Sequence, residues 1–133
     1  MTTPLAVLGA VLIGLAALIH VYIFFLESVA WSKPATWKTF GLRSQADADV
    51  VRPMAYNQGF YNLFLAVGAL LGIILLALGV TQAGFALALF AALSMVAAAL
   101  VLITSNRRLA RAALIQGAAP LIGSLLLVLA LVE

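Results

Sequence analysis

Cysteine is absent from the chain, and histidine occurs only once, as His20. Disulfides, thiolate chemistry and cysteine-ligated metals are therefore excluded, and a metal site would need carboxylates or a second chain. Charge is also scarce, because 8% of the 133 residues are charged whereas 66% are hydrophobic. A soluble domain of this length carries far more charge. The sequence therefore predicts a single integral membrane domain over residues 1–133, and we expect no cofactor and no metal.

Four apolar segments are long enough to span a membrane. We predict helices at about residues 4–27, 53–79, 84–105 and 112–132. At ~1.5 Å per residue, each of them crosses a hydrocarbon core of ~30 Å. The connections are a long loop, a tight turn and a short loop, so the expected fold class is all-α, a membrane-spanning up-down-up-down four-helix bundle. Gly68 and Gly72 form a GxxxG step that fits either packing within this bundle or a homodimer.

The long loop between the first two helices mixes aromatic and basic side chains, namely Trp31, Lys33, Trp37, Lys38 and Phe40. Aromatic residues beside lysine are typical of a membrane interface. We therefore expect a surface-lying loop whose aromatic rings contact membrane lipids. Ser44, with Asp47 three residues later, predicts the N-cap of a short helix over residues 44–51. Pro53 predicts the first turn of the second membrane helix.

The seven Lys and Arg residues occur only in the first and third connections, four in the first and three in the third. By the positive-inside rule these connections are cytoplasmic and both termini face outward. The predicted location is the bacterial inner membrane, with a multi-pass topology. Because the basic residues are confined to two loops, the net charge of +3 does not indicate a nucleic-acid partner.

Polar residues from all four helices are predicted to lie in the cytoplasmic half of the bundle. On the first helix His20 and Glu27 share one face, and on the second helix Asn57 and Tyr61 form the stripe expected to oppose them. An apolar pocket with a few convergent polar groups is the usual small-molecule site. The predicted ligand-binding residues are His20, Phe24, Glu27, Trp31, Asn57, Gln58, Tyr61, Asn62, Asn106, Arg107 and Gln116.

These residues also have structural interpretations. A lone histidine in a membrane helix can simply hydrogen-bond to a neighbouring helix, and Glu27 can be a boundary residue among headgroups. His20 and Glu27 are about two helical turns apart, which is too far for direct contact. Each is therefore expected to meet a partner on the second helix, among Asn57, Tyr61 and Asn62.

Two strings, His20-x-x-Ile-Phe-x-Leu-Glu27-x-x-x-Trp31 and Asn57-Gln-Gly-x-Tyr-Asn-x-Phe-Leu-Ala66, carry a resemblance. They resemble a bacterial four-helix membrane family catalogued only as a domain of unknown function (number 1304). The resemblance covers essentially the whole chain. It implies the fold and the membrane location, and it implies no activity.

Three functions remain open from the sequence. The first is a cytoplasm-facing intramembrane polar pocket that binds a small lipophilic or amphiphilic molecule, with acid/base chemistry at His20 and Glu27 if the molecule is transformed. The second is a small proton-coupled exporter that uses Glu27. The third is a structural or assembly subunit whose polar layer only fixes the helix register. The outer half of the bundle lacks a polar path, which favours binding over alternating access.

Overall fold

A computed structural model describes residues 3–132, and every regular element in that range is helical. The elements are α1 (Pro4–Phe24), a π-helical turn (Phe25–Val29), α2 (Pro34–Thr39), α3 (Gln45–Ala77), α4 (Thr81–Ser105), a 3-10 turn (Arg107–Leu109) and α5 (Ala110–Leu129). Four spans are long and apolar enough to cross a membrane, at Pro4–Val29, Gln45–Ala77, Thr81–Ser105 and Arg107–Leu129. The predicted all-α membrane fold is therefore confirmed.

The four long helices pack as a ring in the order α1, α3, α4, α5. Small residues lie where two helix backbones approach each other. In two of the helix pairs, residues of rising number on one helix contact residues of falling number on the other. Close pairs are Gly9 with Leu127, Gly123 with Ile13, Gly72 with Ala88, and Gly84 with Leu76. Within each of these two helix pairs the chains therefore run in opposite directions. The direction in which each helix crosses a membrane stays a prediction.

The centre of the bundle is filled mainly by alanine. Larger core side chains are few, and Ile13, Met95 and Leu127 are fully buried among them. Because alanine adds only one methyl group to the backbone, helices lined with it can approach closely, as is common for membrane helices. The core therefore depends on backbone proximity rather than on interdigitated large side chains.

The helix α3 begins at Gln45, eight residues before the predicted start. Ser44 is the N-cap as predicted, since its hydroxyl accepts a hydrogen bond from the backbone N–H of Asp47 at 3.1 Å. The predicted short helix does not end at residue 51, however, but continues into the membrane span. The prediction that Pro53 opens the membrane helix is therefore wrong, because Pro53 lies inside α3. With 33 residues, α3 exceeds the ~20 needed to span a bilayer. The missing backbone hydrogen bond at Pro53 falls in this additional, largely exposed length.

The segment between α1 and α3, which we call the cap, folds onto the beginning of α3 and forms a second small core with it. The buried residues of this core are Trp31, Trp37, Ala48 and Ala55, with Phe40, Leu42 and Val51 packed against them. Trp31 donates its indole N–H to the carbonyl of Ala48 at 2.9 Å. The two tryptophans are only 6% and 5% exposed, so both rings are buried in this core. Whether the cap also lies on a membrane surface stays a prediction.

The other helix bounds differ from the prediction by a few residues. The helix α4 begins at Thr81 rather than at 84, because the turn after α3 is shorter than predicted and Gly79 completes it with φ of 82°. A positive φ at the residue that follows a helix is typical of glycine. The helix α5 extends over Ala110–Leu129 rather than 112–132.

Candidate ligand site at Glu27

Glu27 lies in the π-helical turn at the end of α1. The backbone N–H of Ala30 donates to the carbonyl of Phe25 at 2.9 Å, which is the five-residue spacing of a π-helix. One extra residue in the turn rotates the side chains that follow it, and such turns are frequent at functional sites. The Glu27 side chain is thereby packed toward α3 and is 8% exposed.

The partner of Glu27 is Asn62 on α3. The Asn62 amide nitrogen Nδ2 donates to Glu27 Oε2 at 2.8 Å and to the Gln58 carbonyl at 3.2 Å. Both amide hydrogens are therefore used, and Asn62 is itself 9% exposed. Of the three expected partners Asn57, Tyr61 and Asn62, Glu27 therefore meets Asn62. This contact joins α1 to α3 through a buried, side-chain hydrogen bond.

Gly59 lets the two helices approach at this point. A Cβ atom at this position would collide with Ser28 Oγ and would lie 3.1 Å from Glu27 Cβ. The Ser28 hydroxyl donates to the carbonyl of Tyr56 at 2.9 Å, which adds a second bond between the π-helical turn and α3. Gly59, Ser28 and Asn62 therefore each contribute to holding the π-helical turn, and with it Glu27, against α3.

An open groove lies beside Glu27, between the cap and α3. Its volume is about 310 Å³, and it is lined by Glu27, Trp31, Phe40, Leu42, Val51, Met54, Ala55 and Gln58. Among the described residues that line the groove, Glu27 is the only ionisable one. Three predicted site residues therefore meet at one surface, Glu27, Trp31 and Gln58, and Asn62 reaches it indirectly through its hydrogen bond to the carboxyl group.

His20 is buried elsewhere in the bundle and does not line this groove. Its side chain is 0% exposed, and Nδ1 lies 2.8 Å from the carbonyl of Ala16. Because a carbonyl only accepts hydrogen bonds, Nδ1 must carry the hydrogen. The second nitrogen, Nε2, has no hydrogen-bond partner among residues 3–132. His20 and Glu27 thus occupy separate environments.

The prediction that Asn57 and Tyr61 face α1 is wrong. Asn57 is exposed and Tyr61 is 56% exposed, and neither lines the groove. Gly59 and Asn62 occupy the face that contacts α1. Sequence reasoning did not single out Gly59, although a small residue among four amide or phenol side chains is a signal of close helix contact.

Phe24 packs edge-on against Phe60 of α3, with ring centroids 5.1 Å apart. The remaining predicted residues do not line the groove. Asn106 accepts a hydrogen bond from the backbone N–H of Arg108 at 3.1 Å, so it caps the 3-10 turn. Arg107 is exposed beside a separate depression, and Gln116 is half-buried in α5.

Metal ligation finds no support at this site. Across residues 3–132, no three His, Asp or Glu side chains are grouped closely enough to hold an ion. The groove presents the carboxyl group of Glu27, the exposed amide of Gln58 and the aromatic rings of Trp31 and Phe40. These groups can bind a small molecule through hydrogen bonds and apolar contact.

Four apolar helices and one carboxyl group buried at the end of the first define a small integral membrane protein of the helical-bundle class. The chain belongs to the family described as Protein of unknown function (DUF1304), whose model matches residues 14–128. This stretch includes Glu27, Gly59 and Asn62, and the predicted family membership is confirmed. Comparisons with curated proteins and with solved structures find no match.

Proposed function

We propose that the protein binds a small lipophilic or amphiphilic molecule in the groove at Glu27. The observation that carries the proposal is a carboxyl group, 8% exposed, at the wall of a groove whose other lining is largely apolar and aromatic. Small-molecule sites usually combine an apolar lining with a few placed polar groups, and their volumes begin at ~300 Å³. A groove of about 310 Å³ suits a small ligand.

A purely structural role explains Glu27 less well. Replacing a buried ionic or polar group by apolar side chains of similar volume is often neutral or stabilising, so a bundle needs no carboxyl group for stability. Asn62 donates only to Oε2 of Glu27, and Oε1 of Glu27 accepts no hydrogen bond from the described residues. A carboxyl oxygen that faces a groove and remains free is available to a ligand.

The proposal concerns binding rather than catalysis. Acid/base chemistry by His20 would require the substrate to reach Nε2, and His20 is fully buried away from the groove lining. Glu27 alone remains beside the groove as a titratable group. Binding therefore accounts for the observed arrangement with fewer assumptions.

Binding can be tested with three probes that share a ten-carbon chain, namely decylamine, decanol and decanoate. The protein has two tryptophans, and Trp31 lines the groove whereas Trp37 does not. In a Trp37→Phe background, Trp31 fluorescence therefore reports on the groove. We expect a saturable change with at least one probe in lipid nanodiscs.

A groove-filling variant provides the control. Ala55 lines the groove, so Ala55→Leu should remove the saturable response, whereas Asn57→Leu on the exposed face outside the groove should keep it. Absence of a saturable response to all three probes would contradict the proposal. An equal response from Ala55→Leu would contradict it as well, because the probe would then bind elsewhere.

The groove is further proposed to open toward the cytoplasm of a bacterial inner membrane. Support comes from the basic residues, which lie in the cap, in the first turns of α3 and near the start of α5, the same end as Glu27. Positively charged segments flanking membrane helices are retained on the cytoplasmic side. Both termini would then face outward.

The absence of cysteine makes this orientation directly testable. Ala35→Cys places a thiol in α2 at an exposed position, and Gln82→Cys places one in the first turn of α4. Each variant is expressed in bacterial cells whose outer membrane is permeable and whose inner membrane is intact. A maleimide that cannot cross the inner membrane should then label Gln82→Cys alone. Labelling of Ala35→Cys without disruption of the inner membrane would reverse the proposed orientation.

A further inference from the structure

We infer that the groove selects an amphiphilic amine, in which one protonated nitrogen heads an apolar chain. This inference rests on the proposed function, because it names the ligand class of the same groove. First, the charge of the lining favours a cation. Among the described residues that line the groove, Glu27 carries the one ionisable side chain, and none is Lys, Arg or His. A cationic head complements such a lining, and an anionic head finds no opposite charge in it.

The second step is the supply of hydrogen-bond donors. The Trp31 indole N–H already donates to the carbonyl of Ala48, so it is not free for a ligand. Both amide hydrogens of Asn62 are used as well, by Glu27 and by the Gln58 carbonyl. The groove thus retains one side-chain donor group, the Gln58 amide nitrogen, beside two acceptors, Glu27 Oε1 and the Gln58 side-chain carbonyl. A ligand that brings its own N–H groups fits this imbalance better than one that accepts hydrogen bonds.

The third step is the geometry of the acceptor. Glu27 Oε2 is held by Asn62, which leaves Oε1 for the ligand, and the exposed side-chain amide of Gln58 lines the same groove. An ammonium group has three donors. Two of them can be accepted by Glu27 Oε1 and the Gln58 side-chain carbonyl, and the third can remain hydrated at the open side.

The aromatic lining favours the same ligand. The Trp31 ring is 6% exposed and lines the groove together with Phe40, with ring centroids 5.3 Å apart. A cation is attracted to the face of an aromatic ring. Leu42, Val51 and Met54 supply the apolar surface along which the chain of the ligand can lie.

A phospholipid with an amine headgroup is a poorer occupant. Its phosphate would be placed within the same small groove, where the described lining carries no cation to pair with it. Burying an unpaired phosphate is costly. The inference therefore commits to an amphiphilic amine without a phosphate group.

The test compares dissociation constants of the same ten-carbon probes through Trp31 fluorescence in nanodiscs. We expect decylamine to bind at least tenfold more tightly than decanol or decanoate. That ratio corresponds to about 1.4 kcal/mol. Glu27→Gln should reduce decylamine affinity about tenfold more than it reduces decanol affinity, because only the amine loses an opposite charge. If decanol or decanoate binds saturably and as tightly as decylamine, the amine inference fails while the proposed function stands.

A second variant keeps the inference testable if Glu27→Gln does not fold. Gln58 is exposed and lines the groove, so Gln58→Glu adds a carboxylate without disturbing the core. It should tighten decylamine binding and weaken decanoate binding, and an unchanged ratio would overturn the inference. Lysophosphatidylethanolamine serves as the lipid probe, and binding tighter than that of decylamine would overturn it too. A lack of response to every probe would instead contradict the proposed function itself.

Discussion

The two ends of the bundle hold their helices together by different means. At one end, which we call the glycine end, backbones touch, since a Cβ atom added at Gly72 would lie 2.7 Å from Ala88 Cα. At the other end, around the groove, α1 and α3 are joined by side-chain hydrogen bonds from Ser28 and Asn62. The glycine end is held by close backbone contact, whereas the groove end combines polar contacts with open space.

We expect the glycine end to supply most of the stability and the groove end to supply the binding site. Membrane helices associate largely through close packing of small residues, and polar bonds between them are worth only ~0.6 kcal/mol on average. Most of the stability should therefore come from the glycine end. The groove end can then tolerate a π-helical turn, an unsatisfied carboxyl oxygen and an open surface. Variants at the two ends should separate stability from binding.

The largest loss of stability is expected from Gly72→Ala at the glycine end. The new methyl group would collide with the backbone of Ala88, and a backbone atom cannot move aside as a side chain can. Helices α3 and α4 must then separate. Overpacking of this kind costs ~1–3 kcal/mol and occasionally more. The measurement is the free energy of unfolding in detergent micelles by chemical denaturation.

Gly68→Ala is the matched control one helical turn earlier. Its added Cβ would lie 3.5 Å from Ala91 Cβ, which is ordinary van der Waals contact. Because alanine is the better helix former by ~1 kcal/mol, this variant should be neutral or more stable. Similar losses from both variants would show that the GxxxG step acts as a unit, for example in a homodimer, and would break the proposed comparison.

Composition and segment length were sufficient to predict the all-helical class, the four membrane spans and the N-cap at Ser44. These features depend on local chemistry, namely apolar length and a short polar side chain before a helix. The long α3 was missed because Pro53 normally marks a helix start. Its interior position is tolerated where the helix already extends past the membrane-length core.

The site was predictable only in part. A partner for Glu27 on the second membrane helix was predicted, with Asn62 as one of three candidates. The π-helical turn could not be predicted, because it is a shift of backbone hydrogen bonds with no distinct composition. The face of α3 was also misassigned toward Asn57 and Tyr61. Helices that are apolar nearly all round carry little periodic signal to distinguish a core face from a lipid face.

A smaller loss of stability is expected from Gly59→Ala at the groove end. The methyl group would meet the hydroxyl of Ser28, which can rotate away, but also Glu27 Cβ at 3.1 Å. We expect a loss of about 1 kcal/mol, at the low end of overpacking costs, together with weaker decylamine binding because Glu27 is displaced. Unfolding and Trp31 fluorescence measure the two effects on one sample.

Ser28→Ala provides the double-mutant cycle for this contact. It removes the colliding hydroxyl, and so Gly59→Ala should cost less in the Ser28→Ala background. Contacting residues commonly show coupling of ~0.5–3 kcal/mol. Additive losses would mean that the Ser28 hydroxyl does not limit the approach of α1 to α3. Undiminished decylamine binding in Gly59→Ala would mean that Glu27 needs no positioning by this contact.

The smallest effect is expected from Ser124→Ala, beside Gly123 at the glycine end. Ser124 is 3% exposed, and its hydroxyl has no hydrogen-bond partner among residues 3–132. A buried polar group without a partner costs ~1–3 kcal/mol, so its removal should be neutral or stabilising by up to about 1 kcal/mol. Half-buried Ser94, whose hydroxyl donates to the carbonyl of Phe90 at 2.7 Å, is the matched control and should change stability by less than ~0.5 kcal/mol when replaced by alanine. A clear loss of stability in Ser124→Ala alone would reveal a polar interaction inside the glycine end, and the contrast between a dry, closely packed end and a polar, open end would no longer hold.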